Sequence, residues 1–118
     1  MTEKTGTADA EYEGYNLEAA EASVGKGWHG LLKILMHFKP KGTIVMQVKE
    51  KYGGLRFYVS GTEVEYLDLI QELEASSRTI CESCGKAGFN GTEGGNPHGW
   101  YKTACLECEP DHKKPVRE

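Results

Sequence analysis

The sequence lacks a long hydrophobic segment. No apolar run approaches the ~20 residues of a membrane-spanning helix, and residues 1–22 lack the basic-then-apolar order of a secretory signal. Hydrophobic residues make up only 38% of the 118 residues, fifteen residues are glycine, and the mean hydropathy is −0.55. We therefore expect a loop-rich cytoplasmic protein with one modest core and no membrane partner.

Cysteine is also scarce, but its placement is regular. All four cysteines lie in two Cys-x-x-Cys pairs, Cys81 with Cys84 and Cys105 with Cys108, separated by twenty residues. Each pair directs two sulfurs to one point, and two pairs supply a closed tetrahedral cage for Zn²⁺. Two disulfides are the alternative, but no secretory signal accompanies them, and a redox motif would use only one pair. We predict one structural Zn²⁺, because four thiolates leave no open coordination position.

Charge is distributed unevenly around a formal total of −4. Residues 1–22 carry six acidic side chains and one lysine, residues 26–61 carry seven basic side chains and one glutamate, and residues 63–74 carry five acids and no base. A basic segment attracts phosphates or acidic partners. The alternative is that the acidic segments neutralise it within the chain.

Hydrophobic periodicity predicts two helices around a hairpin, preceded by a shorter helix. Asn16 can cap the short helix over residues 17–23. A second helix begins at Trp28 and stops before Pro40, and a third follows Thr62 as its cap. The apolar faces of these two longer helices are Trp28, Leu31, Leu32, Leu35 and Met36 in one, and Tyr66, Leu69, Ile70, Leu73 and Ser77 in the other.

Between these two helices the period changes to two. Ile44, Met46 and Val48 on one strand, and Leu55, Phe57 and Val59 on the next, are predicted to face the core. Tyr52-Gly53-Gly54 suits the positive φ values of a tight hairpin turn. The side chains predicted to point away from the core are Val45, Gln47, Lys49, Arg56 and Tyr58.

The C-terminal third is predicted to be built around the cysteines. Residues 86–99 contain five glycines and are predicted to be a loop, and residues 100–103 a short strand. The expected fold class is α+β, with a small antiparallel hairpin packed by two helices and a C-terminal zinc-ribbon-like site of four cysteines. The expected divisions are a disordered acidic arm (1–15), a core (16–80), a zinc-ribbon-like module packed on it (81–109) and a flexible tail (110–118).

The hairpin offers candidate partner-binding residues. Arginine can fork onto phosphate or carboxylate, and tyrosine and tryptophan can stack on a base or anchor a protein interface. The candidates are Lys49, Lys51, Tyr52, Arg56, Tyr58 and Trp100. The alternative is that Arg56 and Tyr58 merely cover the sheet and pair with Glu63 or Glu65.

Several blocks of the chain resemble a group of small phage and bacterial proteins. The blocks are Gly25-Lys26-Gly27-Trp28, residues 48–58 (VKEKYGGLRFY), Ser77 with Thr79, Cys81-Glu82-x-Cys84-Gly85, and Gly99-Trp100 with Thr103 and Cys105. The resemblance implies a one-domain zinc protein, often phage-encoded, and suggests binding to a host factor with a role against host defence. Cys108 stands where those relatives carry histidine, an exchange that tetrahedral zinc tolerates.

Three function classes follow from these features. The first is a non-enzymatic protein that binds a host protein or a nucleotide-like ligand through the hairpin. The second is a zinc-ribbon regulator that binds nucleic acid, although a pI near 5.6 is far from the basic balance of such proteins. The third is an HNH-like nuclease, suggested by Asn96 and His98 between the cysteine pairs, but His98 is the only histidine there and no adjacent histidine or aspartate accompanies it. We therefore predict a protein that is not an enzyme.

Overall fold

The computed structural model describes residues 14–115, which form two small antiparallel sheets and three α-helices. The elements are α1 (Leu17–Ala22), a 3₁₀ turn (Lys26–Trp28), α2 (His29–His37), β1 (Ile44–Lys51), β2 (Gly54–Ser60), α3 (Val64–Ser77), β3 (Phe89–Glu93), β4 (Lys102–Ala104) and β5 (His112–Lys113). β1 pairs with β2, and β3 lies between β4 and β5. The predicted α+β class is confirmed. No helix in the described part of the chain is long and apolar enough to cross a membrane.

The first described residues already belong to the core. The Tyr15 N–H donates to the Val45 carbonyl at 2.9 Å, and the Tyr15 side chain packs against the main hydrophobic cluster. Tyr15 therefore does not belong to the predicted disordered arm (1–15), whose residues 1–13 lie outside the described chain. Asn16 caps α1 as predicted, because its Oδ1 accepts from the Ala19 N–H at 2.8 Å.

The two long helices bury the predicted faces. Trp28 and Leu32 are fully buried, and Tyr66 on α3 donates its hydroxyl to the Leu35 carbonyl on α2 at 2.6 Å. The predicted Thr62 cap is wrong. Glu63 is the N-cap, because it is extended and its carbonyl accepts the first helical hydrogen bonds.

One face assignment in the hairpin is also wrong. Val45 is fully buried and Met46 is 45% exposed, the reverse of the predicted alternation. A β-bulge between Val45 and Gln47 leaves Met46 without a partner opposite, so the residues before the bulge exchange faces. Beyond the bulge, Val48 is buried as predicted.

The hairpin turn consists of Tyr52 and Gly53. Lys51 pairs with Gly54, and the two residues between them have φ values of +54° and +82°. Positive φ at both positions is the pattern of a type I′ turn, whose twist matches that of the two strands. The positive φ values therefore fall on Tyr52 and Gly53 and not on the glycine pair Gly53 and Gly54.

The C-terminal third is more regular than predicted. The expected loop over 86–99 contains β3, whose Phe89 pairs with Ala104 and whose Thr92 pairs with Lys113. A Cβ on Gly91 would lie 2.2 Å from the Lys113 carbonyl oxygen, so this glycine permits the close approach of β5.

The expected flexible tail from residue 110 is corrected in the same way. His112 is only 2% exposed, and its Nε2 lies 2.7 Å from the Phe89 carbonyl oxygen. The cysteine-containing module therefore extends through Lys113. Residues 116–118 of the predicted tail lie outside the described chain.

Candidate metal centre

The four cysteine sulfurs converge on one point. All four Sγ atoms lie within 4.8 Å of one another, and the Cys84 and Cys105 sulfurs are 3.6 Å apart. A tetrahedral site with Zn–S bonds of about 2.3 Å would place its sulfurs about 3.8 Å apart. All four cysteines are free thiols, which argues against the two-disulfide alternative. The cluster therefore has the spacing of a metal site with four sulfur ligands, Cys81, Cys84, Cys105 and Cys108.

Each pair of cysteines is held in a hydrogen-bonded turn. The Cys81 N–H donates to the Lys86 carbonyl at 2.7 Å, and the Gly85 N–H donates back to the Cys81 carbonyl at 2.9 Å. Gly85 has a φ of +83°, which a side chain would disfavour. In the second turn the Glu109 N–H donates to the Cys105 carbonyl at 3.0 Å. The sulfur positions are thus fixed by the backbone.

The thiol pKa values indicate which cysteines of the cluster favour the thiolate form. Burial raises the pKa of Cys81, but backbone N–H groups of Cys84, Cys105 and Ser83 outweigh burial and lower it to about 6. The pKa of Cys108 rises to about 12, first because of the Cys105 sulfur and then because of the other two sulfurs beside it. The cluster therefore favours one thiolate and disfavours the deprotonation of all four thiols. A bound cation would remove that disadvantage, and thiolate donors suit soft or borderline metals.

The start of α2 rests on the first cysteine turn. The Gly27 N–H donates to the Glu82 carbonyl at 2.7 Å, and the Trp28 indole N–H donates to the Ile80 carbonyl at 2.9 Å. A Cβ on Gly27 would lie only 1.9 Å from the Cys81 carbonyl oxygen. Close packing of the helical core on the metal centre therefore explains why the Gly25-to-Trp28 block has glycine at position 27 and a buried tryptophan at position 28.

The hairpin turn is fastened to the same module. Thr103 donates its hydroxyl to the Gly53 carbonyl at 2.6 Å, and Asn90 donates its amide to the Tyr52 carbonyl at 2.9 Å. Thr103 is itself held by Glu82, whose side chain accepts the Thr103 N–H at 2.8 Å and whose own N–H donates to the Thr103 carbonyl at 3.0 Å. The metal centre is thus linked to the hairpin tip through two residues.

Four of the candidate partner-binding residues lie along the hairpin strands. Lys49 is opposite Arg56 in the β1–β2 register, and the Lys49 Nζ lies 5.8 Å from the centroid of the Tyr58 ring. Lys51 lies two residues from Lys49, on the same face. Within residues 14–115, none of the three cations forms an ion pair, so the alternative pairing of Arg56 with Glu63 or Glu65 is not seen.

The other two candidates meet at the joint between the modules. Tyr52 from the hairpin tip and Trp100 from the segment before β4 line a cleft of about 270 Å³, together with Glu50, Lys51, Gly99 and Tyr101. Trp100 is 79% exposed and Tyr52 is 65% exposed. Sequence reasoning missed Tyr101, for which adjacency to Trp100 was the available signal. The cleft is aromatic, open, and formed by both modules.

His98 does not take part in a metal site. It is exposed, and its backbone N–H donates to Asn96 Oδ1 at 2.9 Å. Among the described residues, the cysteines are the one cluster of three or more metal-ligating side chains. The HNH-like alternative stays a prediction.

Comparisons of the chain with models of protein families, with curated proteins and with solved structures found no match. The resemblance of the block at residues 48–58 to phage and bacterial proteins therefore stays a prediction.

Proposed function

We propose that the chain is a non-enzymatic binding protein in which one structural Zn²⁺ holds the cleft between the hairpin and the metal module in shape. Its ligand is a host protein or a nucleotide-like molecule. The observation that carries this proposal is the composition of the cleft. Exposed tyrosine and tryptophan side chains on a rigid support are the residue types that dominate binding energy at interfaces.

Zinc is the metal that this donor set favours. A closed shell of four cysteines from two Cys-x-x-Cys turns is typical of structural zinc sites, and such sites contribute directly to folding. In a shell of four sulfurs no position is open for water or substrate, so the ion would act in folding rather than in chemistry. Zinc binding would order the module that supplies Trp100 and Tyr101.

The hydrogen-bonded backbone of the hairpin wall supports a binding role. The Tyr52 carbonyl is held by Asn90 and the Gly53 carbonyl by Thr103, both from the metal module. A surface whose backbone is already held in place loses less entropy when a partner binds. The cleft is therefore suited to recognition in its present shape.

The test is affinity capture from a bacterial lysate with the full chain immobilised. We expect Trp100→Ala to lose the captured partner, identified by mass spectrometry as a protein or a small molecule. Leu106→Ala is the matched control, because Leu106 is a 56% exposed apolar residue outside the cleft lining. Equal capture by the wild type and by Trp100→Ala, with zinc content unchanged, would contradict a binding role for this cleft.

A further inference from the structure

A row of positive charge leads away from the aromatic cleft. Lys51 lines the cleft, Lys49 lies two residues further along the same face of β1, and Arg56 is directly opposite Lys49 on β2. Residues two apart on a strand are separated by roughly 6.6 Å. This spacing places Lys51 and Lys49 at an interval that an extended chain of phosphates can follow, and Arg56 lies beside Lys49 across the hairpin.

Flat apolar surfaces accompany this row at both ends. Tyr52, Trp100 and Tyr101 surround the cleft, and Tyr58 lies beside Lys49 at the other end. The cleft volume of about 270 Å³ is just below the roughly 300–1,000 Å³ of typical small-ligand pockets. It therefore suits one planar ring system rather than a helix or a folded peptide.

We propose that this face binds single-stranded nucleic acid. One base stacks in the cleft against Trp100, and the following phosphates contact Lys51, Lys49 and Arg56, with Tyr58 available to a further base. A charged groove combined with aromatic stacking surfaces is how single strands are bound without sequence preference. This inference rests on the proposed function and names its ligand.

The acidic total charge of the protein does not conflict with this ligand. Residues 26–61 carry seven basic side chains against one acid, and the excess of acid lies in residues 1–22 and 63–74. On α3, the Glu74 carboxylate is already engaged, because it accepts the Phe57 N–H at 2.8 Å. An acidic peptide would match the cations but would leave the open aromatic faces without flat partners, so a nucleic acid strand is favoured.

Tryptophan fluorescence provides a direct readout in the full-length, metal-loaded protein. The chain has two tryptophans, of which Trp28 is fully buried and Trp100 is 79% exposed. Titration with a deoxythymidine decamer should therefore quench Trp100 selectively. The logarithm of the binding constant should fall with the logarithm of salt concentration with a slope of about −2, since each of three phosphate contacts contributes about −0.7.

Substitutions separate the two parts of the site. Lys49→Gln and Lys51→Gln should each reduce the steepness of the salt dependence by about 0.7. Lys33→Gln, an exposed lysine on α2, is the matched control and should leave the dependence unchanged. Trp100→Ala, followed by anisotropy of a labelled decamer, should bind about 5- to 160-fold more weakly, the range expected for loss of one stacked base. Leu106→Ala should bind normally.

Three results would overturn the inference. They are the absence of binding by the decamer, a salt dependence that the hairpin lysines do not affect, and binding of thymidine monophosphate as tight as that of the decamer. In the third case the cleft takes a free nucleotide. Capture of a protein in a Trp100-dependent manner without decamer binding would overturn the nucleic-acid ligand and leave the broader function standing. Failure of both assays would remove the broader function as well.

Discussion

Replacing Gly27 by alanine probes the contact between the helical core and the metal centre. The added Cβ would lie 1.9 Å from the Cys81 carbonyl oxygen and 2.7 Å from backbone atoms of Glu82. These neighbours belong to a backbone that also positions a metal ligand, so no flexible side chain can move aside. The two segments would have to separate by about 1.5 Å to reach the 3.4 Å at which ordinary contact begins.

Such a displacement has a calculable cost. It would break the Gly27 N–H bond to the Glu82 carbonyl and the Trp28 indole bond to the Ile80 carbonyl. Each bond contributes about 0.5–1.5 kcal/mol, and forcing an extra methyl into a packed contact costs about 1–3 kcal/mol. We therefore expect Gly27→Ala to lower the free energy of unfolding by about 2–6 kcal/mol, a large share of the total for a small domain.

The same substitution at Gly30 is the matched control. Gly30 lies near the start of α2, and a Cβ added there would have no neighbouring atom within 4 Å. Alanine favours a helix over glycine by up to about 1 kcal/mol. Urea unfolding of both metal-loaded variants should give midpoints on opposite sides of the wild-type value. A Gly27→Ala protein as stable as the wild type would refute the close packing of the Gly25-to-Trp28 block on the cysteine turn.

Two further substitutions test the core. Burial raises the pKa of Tyr66 from 10.0 to about 12, so its hydroxyl contributes stability below pH 10 that is lost as the pH rises to about 12. Tyr66→Phe should lower the free energy of unfolding by about 1 kcal/mol at neutral pH. Unfolding followed by circular dichroism should show that Tyr66→Phe no longer loses stability between pH 10 and pH 12. The control Tyr58→Phe, at a half-exposed position, should still lose stability over that range. Ser77→Ala should cost about 1–3 kcal/mol in denaturant unfolding, because the buried Leu55 N–H would lose its acceptor; an unchanged midpoint would contradict this.

Local patterns in the sequence predicted the helices and the convergence of the four cysteines well. The apolar faces of α2 and α3 depend on a period that the residues themselves display, and a Cys-x-x-Cys turn is determined within a few residues. The Met46 bulge was missed because a bulge is defined by the register with the opposite strand, which a single strand does not reveal.

The remaining errors concern contacts between distant parts of the chain. β3 has a glycine in its middle and shows no alternation, and its conformation depends on pairing with β4 and β5. Gly91 is needed there because the Lys113 backbone approaches closely. The cleft likewise joins Tyr52 to Trp100 only after the hairpin turn docks on Asn90 and Thr103. Its existence could not be predicted from either segment alone.

The most direct test of the metal centre is X-ray absorption spectroscopy at the metal edge, combined with elemental analysis of the purified full-length protein. One zinc per chain with four sulfur ligands at about 2.3 Å is the expected result, and chelation should then abolish the tertiary structure of the module that contains Trp100. Absence of a stoichiometric metal, or a fold that persists unchanged after the metal is removed, would contradict the claim that these four cysteines hold the two modules in their present arrangement.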